Sequence, residues 1–176
     1  KKNKTNNTVQ YVILYRKEFY SDPDSRNPTV EIGTLYDDLL RRDFTINAIA
    51  MDCNGDFIDP FNGIQDIEQR ILRCPVNAES SFMDDPLRTL RAVRFAVTKR
   101  MEIPNEMLFA FTKDAIWERF DKVVSEERIY DELKKMFSYS SVETIIALNR
   151  VFLRNVLRDH IFKGKLSLNP SLKQQK

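Results

Sequence analysis

Cysteine is scarce in this chain, with Cys53 and Cys74 the only two. Two thiols without metal-ligand spacing exclude a disulfide scaffold and give no sign of a zinc site. A reducing cytoplasm is the natural compartment. Long apolar runs are lacking as well: none reaches membrane-spanning length and no signal-peptide pattern is present, so no membrane partner is expected. Excess charge of one sign is also missing. A net charge of +2 over 176 residues makes no bulk demand for a nucleic-acid partner. The local distribution carries more, because arginines gather at positions 41, 42, 88, 91 and 94. A leading methionine is absent too; Lys1-Lys2-Asn3-Lys4 reads as the start of a fragment or processed product. What is present, 42% hydrophobic and 31% charged residues, suits a globular protein with a real core. The length allows one ordinary domain or two small ones.

The pattern along the chain divides near residue 73. Residues 1–8 are polar and read as a loose end or loop. Val9 to Tyr15 is β-branched and aromatic and reads as a strand. Tyr20 to Pro28, with two prolines, reads as a loop. Thr34 can cap a short helix over Leu35 to Arg41. Ile49–Asp52 and Phe57–Asp59 flank Cys53-Asn54-Gly55-Asp56, a hairpin signal. A helix over Ile64–Arg70 and a short strand over Ile71–Arg73 follow. Beyond Pro75 the signals are helical: a start at Asp84-Asp85-Pro86, helices over 105–120 and 126–139 with Ser125 as cap, and more helix from Val142 to Phe162. The segment from Gly164 onward reads as a polar, disordered tail.

Four constellations carry chemistry. Arg41-Arg42-Asp43-Phe44-Thr45-Ile46-Asn47-Ala48 offers guanidinium forks, a hydroxyl acceptor and an amide within eight residues, a set able to hold a triphosphate and ribose. Its bland alternative is a solvated helix end. Asp59-Pro60-Phe61-Asn62-Gly63-Ile64-Gln65-Asp66 is an Asp-Pro turn into a helix, for which a structural role is favoured. In Asp84-Asp85-Pro86-Leu87-Arg88-Thr89-Leu90-Arg91-Ala92-Val93-Arg94-Phe95, Asp85 supplies acceptors and Arg88 a rigid donor fork one turn away. Such a pair can read the edge of a base as a paired base would. A salt bridge within one helix is the alternative. Arg88, Arg91 and Arg94 recur at spacing three without interleaved acids, so they should repel one another and favour an anionic ligand. Glu127-Arg128-Ile129-Tyr130-Asp131-Glu132-Leu133 alone reads as the amphipathic start of a structural helix.

In order, wording and spacing these stretches resemble the class II nucleotidyltransferases, which comprise the CCA-adding enzymes of bacteria and eukaryotes and the bacterial poly(A) polymerases. The resemblance covers roughly residues 9–137. It includes Arg16, Glu18, Tyr20, Arg26 and Pro28 upstream, and Asp38-Leu39 before the arginines. It implies an α+β fold, with a partial polymerase-β-like head over 1–73. An all-helical neck over 74–140 and the start of a helical body with a tail over 141–176 would follow. Arg42 and Asp43 would meet the sugar and phosphates of an incoming nucleotide, with Arg41 and Asn47 in support. Asp85 and Arg88 would select CTP or ATP by hydrogen bonds to the base, with Arg91 and Arg94 lining the same pocket. Asp84-Asp85 stands where the family usually has Glu-Asp. Glu127, Arg128 and Glu132 would brace that helix. The partners implied are CTP, ATP and the tRNA acceptor end.

The resemblance also implies Mg²⁺, held by a Gly-Gly-x-x-Arg-Asp segment and an Asp-x-Asp ahead of the first strand. This sequence has no Gly-Gly pair. Asp22-Pro23-Asp24 matches Asp-x-Asp only literally, because it follows the strand and its proline breaks the strand geometry the ligands need. Tyr11 stands where a further acid is expected, and a phenol is no hard-metal ligand at neutral pH. The expectation is that the chain lacks the metal site. It would then be a truncated enzyme, one part of a split enzyme completed by a separate chain, or an inactive nucleotide- or RNA-binding remnant.

Overall fold

The structure is a computed structural model that describes residues 32–165 in full and, before them, the backbone of residues 2–5, 8–11, 16–19 and 29–31. Lys2–Thr5 (β1) pairs antiparallel with Thr8–Tyr11 (β2), and Arg16–Phe19 (β3) with Thr29–Ile32 (β4). Within the polar start, residues 2–5 and 8 are therefore strand rather than a loose end or loop. Backbone pairing needs no apolar side chains. The strand expected over Val9–Tyr15 is described as far as Tyr11. Residues 12–15, the Tyr20–Pro28 segment with Asp22-Pro23-Asp24, and the tail from residue 166 lie outside the described residues.

Leu35–Leu40 (α1) starts where expected, at a reciprocal capping box between Thr34 and Asp37. Ala50–Met51 (β5) and Phe57–Ile58 (β6) form the expected hairpin. Its turn is held by Asp52, whose carboxylate accepts the N–H groups of Asn54 and Asp56 at 2.8 and 2.9 Å. Gly55 sits at φ +92°, where a side chain would be strained. Gly63–Gln69 (α2) follows, with its first two N–H groups taken by the Asp59 carboxylate at 2.7 and 2.9 Å. The Asp-Pro segment is thus structural, as favoured.

Ile71–Arg73 does not form a strand. Ile71 makes a single parallel bridge to Glu102, and Leu72 donates its N–H to the Glu102 carbonyl at 2.9 Å. The Arg73 carbonyl is taken by the Thr45 N–H at 2.9 Å, so the segment ties two regions together instead of extending a ladder.

The rest is helical, giving an α+β fold overall. Ala78–Asp84 (α3), capped by Asn77, precedes Arg88–Lys99 (α4). The helix start expected at Pro86, after Asp84-Asp85, falls two residues later, at Arg88. Asp84 closes α3, and Asp85 begins a turn by accepting the Leu87 N–H at 3.2 Å. The helix expected over 105–120 is two, Asn105–Ala110 (α5) and Asp114–Val123 (α6). Between them the Phe111 carbonyl accepts the Trp117 indole N–H at 2.8 Å, which ties the turn to α6. Glu126–Tyr139 (α7) matches the expectation. The run over 142–162 resolves into Ser141–Val151 (α8), Arg154–Val156 (α9) and a wide π turn over Leu157–Ile161.

Helix α4 is the axis of the packing. It lies against α7 and α8 and buries Thr89, Leu90, Ala92, Val93, Phe95 and Val97, which is why its apolar residues follow no single stripe. Phe44 meets Phe95 edge to face and joins the arginine-rich segment to this core. Trp117, Phe120 and Phe152 fill the far end. Burying each of these side chains stabilises by about 1.5–3 kcal/mol.

One close approach locks α2 to the site region. A Cβ on Gly63 would lie 2.2 Å from the backbone oxygen of Thr45. Gly63→Ala should therefore destabilise the protein by about 1–3 kcal/mol through overpacking. Urea melts of the variant and wild type measure this, and an unchanged midpoint would contradict the packing described.

Candidate functional site

The site begins at the C-terminus of α1. Asp38, nearly buried, accepts from Arg41 Nη2 at 2.6 Å and Arg42 Nη2 at 3.0 Å, fanning the two guanidiniums from one carboxylate. The chain then turns through Asp43, which is 8% exposed. Its Oδ1 accepts the Phe44 N–H and Asn47 Nδ2, both at 2.9 Å. Its Oδ2 accepts Arg91 Nε at 2.9 Å and Nη2 at 2.5 Å. Four donors fill the lone-pair directions of a carboxylate. The hydroxyl-accepting role expected of Asp43 is thus taken up internally, and a ligand hydroxyl would have to displace one of these donors. Burial opposes ionisation of Asp43, yet the Asn47 and Arg91 hydrogen bonds and the Arg91 charge outweigh it and hold its pKa below the usual carboxylate range. A 3-10 turn over Thr45–Asn47 presents Asn47. It is pinned from below by Thr45 Oγ1, which donates to the buried Asp66 at 2.6 Å.

Helix α4 supplies the facing wall. Arg88 donates through Nη1 to Ser81 Oγ at 2.7 Å and through Nη2 to the Arg41 carbonyl at 2.6 Å. Asp85 does not pair with Arg88. Its Oδ2 instead accepts from Arg128 Nη2 at 2.9 Å, reaching across from α7. Glu132, 3% exposed, takes Arg94 Nε at 2.5 Å, lies 3.7 Å from Arg91 Nη1 and accepts from Lys135 at 3.1 Å. The repulsion expected within the arginine row is therefore relieved by Asp43 and Glu132. No acid is interleaved in α4 itself, but two are delivered from other elements.

These groups enclose a cleft of about 430 Å³ lined by Arg41, Arg42, Asp43, Asn47, Asp85, Arg88 and Arg91. Four cations face two carboxylates, so the cleft suits a polyanion. Arg94, expected in the same pocket, does not line it; Glu132 and the Phe95 ring hold its guanidinium behind the wall. Glu127 is exposed on α7 beside a separate groove, and among the described residues it makes no hydrogen bond to α4. Two site-building residues carried no assigned role from sequence. Asp38 had a signal, its i+3 and i+4 spacing to Arg41 and Arg42. Ser81 had none. Among the described residues no three His, Cys, Asp or Glu side chains converge on a point where they could hold a metal ion. No helix there is long and apolar enough to cross a membrane.

Comparison with known proteins bears on this arrangement. Residues 2–73 match the poly A polymerase head domain. The mitochondrial CCA tRNA nucleotidyltransferase of Candida glabrata is 37% identical over 152 residues, 85% of this chain and 28% of that protein. The chain belongs to the CCA-adding enzyme and poly(A) polymerase family. Among solved structures of the family, the Bacillus stearothermophilus CCA-adding enzyme in complex with CTP superposes with a TM-score of 0.67. It is 27% identical, with 96% of this chain and 37% of that one covered. The Thermotoga maritima CCA-adding enzyme complexed with tRNA gives 0.63 at 30% identity, covering 78% and 33%. The chain thus spans roughly a third of the length of these family members.

Two outcomes follow from the buried acids. Asp43 binds its proton less readily folded than unfolded. Its contribution to stability is thus present above the unfolded pKa of 3.8 and lost as pH falls through the lower folded value. Urea melts from pH 7 to 3 should show stability falling below about pH 4, with a shallower fall in Asp43→Asn. Glu132→Ala leaves Arg94 and Arg91 facing a buried gap and should cost about 3 kcal/mol, a drop in Tm of about 6–12 °C by calorimetry.

Proposed function

We propose that this chain is the nucleotide-selecting part of a template-independent tRNA nucleotidyltransferase, which adds CMP and AMP to the tRNA 3′ end. In this reading residues 1–73 form the head, 74–140 the neck carrying the selecting helix, and 141–176 the start of a body with its tail. The observation that carries it is the cleft of four arginines and two carboxylates, together with the family relative whose structure is described in complex with CTP.

Arg42 is half exposed and shares its acid with Arg41, so its outward donors can take phosphate oxygens by charge-assisted hydrogen bonds. Asp43, itself braced by Asn47, holds Arg91 at the wall, where the sugar of a bound nucleotide would lie. Asp85 offers an acceptor and Arg88 a donor fork, complementary to the alternating donors and acceptors on a base edge. CTP and ATP differ there, and an unmatched buried polar group costs about 1–3 kcal/mol. Arg94 and Glu132 fix the helix that carries Arg88, and Arg128 governs the access of Asp85. Addition is an in-line attack by the terminal RNA hydroxyl on the α-phosphate, and these residues hold and select the nucleotide for it. Mg²⁺, generally used in the family, would stabilise charge at the phosphates; the described residues form no cluster to hold it.

The test has two parts. By calorimetry, Arg88→Ala should weaken CTP binding by at least about tenfold, or about 1.4 kcal/mol. Supplied with Mg²⁺ and with the metal-binding segment, in a full-length or complemented protein, the chain should incorporate labelled CTP and ATP onto tRNA lacking CCA. Incorporation of ATP alone onto generic RNA would show polyadenylation instead. Nucleotide binding without turnover would identify a binding protein, and no binding at all would refute the reading.

A further inference from the structure

Ser81 lies on α3 with no solvent exposure, and its hydroxyl points at a residue seven positions along the chain. Arg88 Nη1 reaches Ser81 Oγ at 2.7 Å and the Ser81 carbonyl at 3.4 Å, while Nη2 reaches the Arg41 carbonyl at 2.6 Å. All three acceptors are neutral. A guanidinium has five N–H donors in a rigid plane, so this seat uses three and leaves two. The plane is fixed by acceptors from two different segments, α3 and the end of α1, which are 40 residues apart. The Ser81 carbonyl belongs to the last turn of α3, where a cation is electrostatically favoured. The Cys74 thiol lies beside the same hydroxyl: burial pushes it up to about 11, with the Ser81 hydrogen bond pulling the other way.

The geometry points to Ser81 as a positioning residue for nucleotide selection, holding the Arg88 guanidinium so that its two remaining donors are fixed in direction before a nucleotide arrives. It touches no part of the cleft itself, since it is absent from the lining. The benefit is preorganisation: a fork already oriented loses less rotamer freedom when it binds. This inference rests on the proposed function of Arg88 as a base-selecting residue.

The experiment is calorimetric titration of CTP into wild type, Ser81→Ala, Ser81→Thr, Arg88→Lys and the Ser81→Ala/Arg88→Lys double variant, with Tm measured for each. Alanine is the best helix former, so α3 should persist and Tm should stay within about 3 °C. Ser81→Ala should weaken CTP binding about tenfold, and Ser81→Thr, which keeps the hydroxyl, should recover it to within about threefold. Lysine keeps the charge at 88 but has no fork to align. Ser81→Ala should therefore change binding less than about twofold in the Arg88→Lys background. A purely structural role would instead give the same loss in both backgrounds, and that result overturns the inference. Unchanged CTP affinity in Ser81→Ala, with Arg88→Lys weakened, also overturns it while leaving the proposed function intact. Absence of CTP binding by wild type would remove the functional reading and this inference together.

Discussion

The guanidinium of Arg91 lies between two buried carboxylates, Asp43 from the segment after α1 and Glu132 from α7. Three parts of the chain that share no local sequence meet at this one side chain. Burying a charge without a partner costs several kcal/mol, so each member of the set can be buried only because the others are. Asp43 and Glu132 must therefore arrive at α4 together, and the cleft exists where they do. Phe44, next to Asp43, packs edge to face on Phe95, next to Arg94, so the ionic and apolar layers are registered by adjacent residues. A shift of α4 by one residue would break both at once.

The neighbouring interactions follow from that registration. With Arg91 fixed, Arg88 lies one turn earlier on α4, close enough to Ser81 and the Arg41 carbonyl to be seated by neutral oxygens. Arg94, one turn later, falls against Glu132 and is drawn behind the wall. A row of three arginines at equal spacing thus acquires three different environments. Arg94 is structural, Arg91 is held by acids, and Arg88 keeps a charge that no salt bridge among the described residues neutralises.

Much of this was legible in the sequence, for physical reasons that differ by residue. The lining of the cleft could be read because its members come in two short windows, 41–47 and 85–91, where local spacing fixes which side chains share a face. The hairpin at Asn54-Gly55 and the capped starts of α1 and α7 could be read because caps and turns are local chemistry. The partners of the arginines could not: Asp43 and Glu132 are 48 and 41 residues from Arg91, and no spacing rule reaches that far. Helix α3 was hidden because seven residues are too few for a clear apolar period. The polar strand β1 was hidden because its pairing is made by the backbone. Ser81 combined both difficulties, a small polar residue in a short helix whose purpose lies in another element.

The ion pairs of the site divide into fixed and exchangeable ones, and the division bears on specificity. Asp43 and Glu132 are 8% and 3% exposed, so their partners are held in a medium where exchange for water is costly. Arg128 and Asp85 differ: their side chains are 47% and 29% exposed, and an exposed pair of this kind contributes only about 0–1 kcal/mol. The acceptor that faces the cleft beside Arg88 is therefore tied by the weakest of these bonds. A ligand donor of modest strength can displace Arg128 from Asp85 without disturbing the carboxylates that hold α4. Rigidity is thus concentrated where the helix is anchored, and freedom is left at the carboxylate that would have to distinguish one base edge from another.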